Sequence, residues 1–145
     1  MKRCLALFDI ALQEHNQPPT MQSYICHHFS PEMFLKHSYN DKGVFVDLCK
    51  LFLQVGNEQF ARLKAAVQAG NVGATTQECH ALKGTLLISG ADAAVRLLDQ
   101  IEIEFNRKKR VCTTEKILEL QNEIALTMDE VRDFLLELES LELQH

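Results

Sequence analysis

Apolar positions recur at three- and four-residue spacing over most of this chain, a period that predicts helices, and no segment alternates as a strand would. From Val44 to about Gln68 the set Phe45, Leu48, Phe52, Val55, Phe60, Leu63 and Val67 marks one long helix, with Gly56-Asn57 as a candidate kink. Gly70-Asn71 ends it, and Asn71 is the expected N-cap of a helix running to Ser89. That helix turns Cys79, Leu82, Leu86 and Ser89 inward, and Gly90 is placed as its C-terminal glycine. A helix from Asp92 to about Lys108 follows, with Val95, Leu98, Ile101 and Phe105 inward. The last helix, capped by Thr113 or Thr114, repeats Ile117, Leu120, Ile124, Met128, Val131, Leu135 and Leu138 near 3.5 residues, the seam of a bundle helix. Four long amphipathic helices with short connections predict an all-α fold, an antiparallel four-helix bundle.

Shorter elements precede the bundle. Ser30-Pro31-Glu32 is a helix start, with a capping hydroxyl, proline at the first helical position and an acid in the first turn. That helix ends near His37, and Asn40-Asp41-Lys42-Gly43 makes a turn in which Asp41 caps the long helix. Residues 2–14 form a further short amphipathic pattern, with Leu5, Phe8 and Leu12 on one face, until Asn16-Gln17-Pro18-Pro19 stops it. The expected organisation is an N-terminal extension over 1–29 and a bundle domain over 30–142.

Composition adds constraints. The 145 residues suit one domain, and twenty acids against fifteen Lys and Arg give no general attraction for nucleic acid. The basic run Arg107-Lys108-Lys109-Arg110 is read as a favourable helix C-terminus followed by a solvated loop, with a steering patch for an acidic partner as the alternative. Cys4, Cys26, Cys49, Cys79 and Cys112 are odd in number, scattered and without a C-x-x-C pair, as expected of reduced thiols in a cytosolic protein. Cys26-His27-His28 has no spaced partner motif, so no metal is expected and these are read as solvated loop side chains. Glu130, Glu137, Glu139 and Glu142 are read as a solvated helix face. No apolar run approaches the ~20 residues of a membrane span. The start imitates a signal peptide until Asp9, Gln13 and Glu14 interrupt it, and no small-residue cleavage site follows. A cytoplasmic protein without a membrane role is expected.

The chemistry concentrates in Glu78-Cys79-His80-Ala81-Leu82-Lys83-Gly84-Thr85-Leu86. His80, Lys83, Gly84 and Leu87 fall on a face that turns away from the core stripe. His80 and Lys83 are neighbours one turn apart, and Gly84 removes the side chain beside the imidazole. Glycine in a helix interior costs about 1 kcal/mol relative to alanine, so its presence asks for a reason, and access of something bulky to the ring is the simplest.

His80-x-Leu82-Lys83-Gly84, followed by Gly90-Ala91 and a helix carrying Glu102, resembles the histidine-containing phosphotransfer (HPt) family over about residues 30–142. In that family the histidine carries a phosphoryl group between aspartates of receiver domains. The resemblance implies that His80 is the phosphoacceptor, attacking through the ring nitrogen remote from the backbone. It implies that Lys83 offsets phosphoryl charge, that Glu102 orients the imidazole, and that Gly84 and Leu87 belong to the receiver-docking face. Many members carry small residues after the Lys-Gly pair; Thr85-Leu86-Leu87 departs from that and should alter the docking surface or the packing beneath it.

The residue types suit the chemistry. A histidine in water has a pKa of about 6.5 and is mostly neutral at cellular pH, leaving a lone pair free to attack phosphorus. A phosphohistidine would divide the carrier reaction into two steps. The sequence has no glycine-rich nucleotide loop and no Walker lysine motif, and no acid follows the histidine directly as in autophosphorylating kinases. The expected protein is therefore a phosphocarrier rather than an enzyme, with no cofactor of its own; the aspartate and Mg²⁺ come from the partner. Its partners are response-regulator receiver domains or a hybrid sensor kinase. A monomer is expected, and the initiating methionine favours a free-standing protein. The alternative is an HPt-like docking module that binds a receiver or another regulator without passing phosphate.

Overall fold

In a computed structural model, residues 27–108 and 114–143 are described. Among them are five helices: α1 (Pro31–His37), α2 (Lys42–Gln68), α3 (Val72–Ser89), α4 (Asp92–Lys108) and α5 (Thr114–Leu143). No strand occurs among the described residues. The four long helices form the bundle, with α2, α3, α4 and α5 neighbouring one another around a single core, and α1 lies against α2 and α3. The amphipathic stretch 2–14, Cys4, Cys26, Cys112, the candidate cap Thr113, and the side chains of Lys108, Lys109, Arg110 and Glu142 lie outside the description.

Each boundary has a local cause. Ser30 Oγ accepts the Met33 N–H, and Pro31 fills the first helical position of α1, where its missing donor is harmless. The chain reverses after α1 through Tyr39 and Asn40, both at positive φ (54° and 60°). Asp41 then caps α2 through the Val44 N–H at 3.0 Å. The turn therefore precedes Asp41, and Lys42 and Gly43 are already helical. Asn71 Oδ1 caps α3 through the Ala74 N–H at 3.0 Å.

The core is the set that the apolar spacing selects. Leu82, Leu86, Leu98, Ile101, Leu120 and Val131 are fully buried, and every position of the α5 seam from Ile117 to Leu138 is buried. Cys49 and Cys79 are buried thiols outside any disulfide, and burial pushes the Cys49 thiol up to about 12, so it behaves as a small apolar residue. Beside α1 the core becomes aromatic: Phe34 meets Phe52 at 5.3 Å between centroids, and Phe29 meets Phe134 edge-on at 5.9 Å.

Three expectations need correction. α2 continues unbroken through Gly56-Asn57, because Asn57 bonds back to the Leu53 carbonyl and Gly56 is a packing residue. A Cβ at Gly56 would lie 2.5 Å from Met128 Cε on α5. Glu130 is no solvated acid: its carboxylate accepts the backbone N–H groups of His27, His28 and Phe29 at 2.9–3.1 Å. His28 is likewise no free loop side chain, since its Nδ1 lies 2.6 Å from Glu123 Oε2 and the residue is half-buried. His27 is exposed as expected. Residues 27–29, the end of the expected extension, are thus held against α5, with Phe29 in the core.

Gly90 joins α3 to α4. It sits at φ 65°, its N–H and that of Ala91 close the end of α3, and a Cβ there would lie 2.7 Å from Ser30 Cβ. The backbone at this point is also tied to α1 by the Ser30 N–H donating to the Ser89 carbonyl at 2.8 Å. Gly90→Ala adds left-handed strain to a steric clash, and is expected to destabilise the fold by about 1–3 kcal/mol. Urea unfolding followed by circular dichroism should give a lower midpoint with an unchanged slope.

Candidate functional site

Helices α3 and α4 run antiparallel from the Gly90 turn, so successive turns of one face successive turns of the other. His80 and Lys83 are one turn apart on α3, Asp99 and Glu102 one turn apart on α4, and the facing pairs are His80 with Glu102 and Lys83 with Asp99. Two basic groups on one helix thus meet two acids on the next.

The imidazole of His80 stands in solvent, with its side chain 70% exposed. Its Nδ1 lies 3.5 Å from Glu102 Oε1, whose side chain is 17% exposed. Glu102 Oε1 is buried and has no hydrogen-bond partner, so the two groups approach without a formed hydrogen bond. A slightly closer ring in the Nδ1–H tautomer would satisfy that oxygen and leave Nε2 as the outward nitrogen. Between them opens a shallow cleft of about 50 Å³ lined by Thr75, Thr76, Cys79, His80, Glu102 and Phe105.

Lys83 Nζ lies 2.6 Å from Asp99 Oδ1, with both side chains partly exposed. Its pKa is raised, chiefly by the hydrogen bond to Asp99; partial desolvation opposes this, and the charges of Asp99 and Glu102 add to it. Lys83 is therefore firmly cationic. Asp99 was not singled out in the sequence. Its signal was its place one turn before Glu102, opposite Lys83 once the helices are antiparallel.

Gly84 and Leu87 extend the same face. A Cβ at Gly84 would find no atom within 4 Å, so nothing inside the molecule requires glycine there. Leu87 is 49% exposed. Alongside, Leu48, Leu51, Val55 and Ile88 help to line an apolar groove of about 100 Å³ between α2 and α3. Leu48 and Val55 are half-buried and form part of the groove wall. Thr85 borders it, its hydroxyl donating to Gln59 Oε1 at 2.6 Å. Among the described residues no group of three or more His, Cys, Asp or Glu gathers to hold a metal ion. No helix among them is long and apolar enough to cross a membrane.

Comparison with known proteins bears on the family and the fold. The family model described as Hpt domain matches residues 47–141. Among solved structures, the HPT domain of an Hpt sensor hybrid histidine kinase from Shewanella superposes with a TM-score of 0.65 at 20% identity, covering 77% of this chain and 96% of that one. A search of curated proteins found no match.

Because Gly84 lacks any internal packing reason, Gly84→Ala should stabilise the fold by about 0.5–1 kcal/mol through helix propensity alone. Chemical denaturation of the two proteins side by side checks this. A loss of stability would mean that Gly84 answers to the fold rather than to access.

Proposed function

The chain belongs to the Hpt domain family, and from that premise we propose that it is the histidine phosphocarrier of a two-component phosphorelay. Hpt domains are phosphocarrier modules rather than kinases, and they work with receiver and kinase partners. In this reading His80 takes a phosphoryl group from the aspartyl phosphate of one receiver domain and yields it to the aspartate of another, with a hybrid sensor kinase as one source of the donor receiver. The protein acts as a cytoplasmic monomer, without nucleic acid or membrane.

The observation that carries this reading is the exposed imidazole of His80, with a buried carboxylate behind Nδ1. Nε2 attacks phosphorus in line, the N–P bond forms as the P–O bond to the donor aspartate breaks, and the electron pair leaves on the aspartate carboxylate. The Nδ1 proton remains on the ring, where the Glu102 carboxylate offsets the positive charge of the phosphorylated imidazole. Lys83, one turn away, is the cation available to moderate the charge of the phosphoryl oxygens, and its pairing with Asp99 limits how far it does so. Mg²⁺ belongs to the receiver. Gly84 and Leu87 give the receiver a flat approach beside the ring, and the apolar side chains of Leu51 and Ile88 extend that approach over the neighbouring groove.

Incubation with a phosphorylated receiver domain tests the reading. Label is expected to move to a base-stable, acid-labile linkage, and His80→Gln should abolish it while leaving the helical signal intact. Receiver binding without transfer would instead make the protein a docking module. Gly84→Gln is expected to weaken receiver binding by at least about tenfold, equivalent to 1.4 kcal/mol, because it places a side chain where the partner must lie. Titration calorimetry gives that number, and undiminished binding would remove Gly84 from the docking face.

A further inference from the structure

We propose that Asp99 is a positioning residue that holds the Lys83 ammonium on α4, away from the phosphoryl group on His80, so that the group stays weakly held and ready to leave. This deepens the reading of His80 as phosphoacceptor and rests on it. A carrier has a requirement that an ordinary binding site lacks: it must accept the phosphoryl group without trapping it. A lysine one turn from the acceptor, free to fold over a dianion, would favour the loaded state.

The structure provides a competitor for that lysine. Lys83 Nζ sits 2.6 Å from Asp99 Oδ1, the distance of a charge-assisted hydrogen bond, whereas the imidazole lies one turn back along α3. Glu102 cannot play this part, because it faces His80 and its nearer oxygen is buried. Asp99 and Glu102 together place two carboxylates against one ammonium. The incoming dianion therefore meets two carboxylates, and the Lys83 ammonium beside them is already engaged by Asp99. The raised pKa of Lys83 agrees with this engagement. Neither side chain of the pair is deeply buried, so the pair does not lock the fold; such surface pairs contribute little stability. Its effect falls on the charge that the phosphoryl group meets.

Phosphoramidate tests the idea without a partner protein. Nε2 of His80 attacks its phosphorus, the N–P bond to the ring forms as the original P–N bond breaks, and the protonated leaving nitrogen departs as ammonia. The equilibrium between free and phosphorylated protein is then read at fixed ammonia concentration. Asp99→Asn should raise the equilibrium constant for loading by about three- to tenfold, the effect of one unit charge about a helical turn away in surface water. Asp99→Glu should restore the native value to within about twofold. In a Lys83→Gln background the gain from Asp99→Asn should shrink markedly. Carbethoxylation of His80 by neutral diethylpyrocarbonate should proceed at the native rate in Asp99→Asn, since the ring itself is unchanged.

An unchanged or lower loading constant in Asp99→Asn overturns the proposal. A gain of full size without Lys83 also overturns it, by assigning the effect to the aspartate's own charge, and so does a parallel acceleration by the neutral reagent. Failure of the native protein to label at His80 overturns the phosphoacceptor reading, and this inference with it. Native labelling with no response to Asp99 overturns the inference alone.

Discussion

The register between α3 and α4 governs everything at the candidate site, because neither helix holds a complete arrangement alone. One glycine in a left-handed conformation at the tip of the hairpin sets where the two helices begin to run together. From there each step back along α3 is matched by a step forward along α4, so His80 meets Glu102 where Lys83 meets Asp99. A slip of one residue would turn each acid by about 100° around α4 and leave both basic groups without a partner. The same tip is gripped by α1 through Ser30 and Ser89, which makes the small first helix a clamp on the register. The aromatic cluster at that end, Phe29, Phe34, Phe52 and Phe134, gives the clamp its hydrophobic anchorage.

The fold was largely legible in the sequence, for a physical reason: the core stripes of α4 and α5 have the helical period and almost no exceptions. Ile117 through Leu138 on α5 are buried where spacing put them. Legibility failed where a side chain's role depends on another helix. Glu130 looks like any acid on a polar face until the incoming chain lays three N–H groups against it. Gly56 reads as a kink from its own neighbours, and only Met128 on α5 reveals it as a point of close approach. Leu48 and Val55 have core spacing, yet both are half-buried and line the groove between α2 and α3.

The site divides along the same line. His80, Lys83 and Gly84 lie within five residues on one helix, where a local pattern can hold them together. Glu102 entered through family resemblance, and the structure sets it behind the ring. Asp99 was invisible because an acid on an amphipathic helix is unremarkable by itself. Its partner is sixteen residues away, and only the hairpin register brings the two within 2.6 Å. Long-range pairing of polar groups leaves no periodic trace of the kind that burial does.

Gly56, Gly84 and Gly90 separate the demands of folding from those of access. Gly56 is buried against Met128, and Gly90 is pressed against Ser30 at a positive φ, so both answer to the packing of this chain. Gly84 has nothing near it, sits in the middle of a helix that would be better formed with alanine, and lies one turn from an exposed imidazole. Exposure of that kind is inexpensive here, because α3 reaches the core through its opposite face, with Cys79, Leu82, Leu86 and Ser89. An imidazole can then stand in solvent on a rigid rod without opening the core beneath it. The outer face of α3, where Leu87 and Ile88 also lie exposed, is left to be shaped by whatever approaches it rather than by the needs of folding.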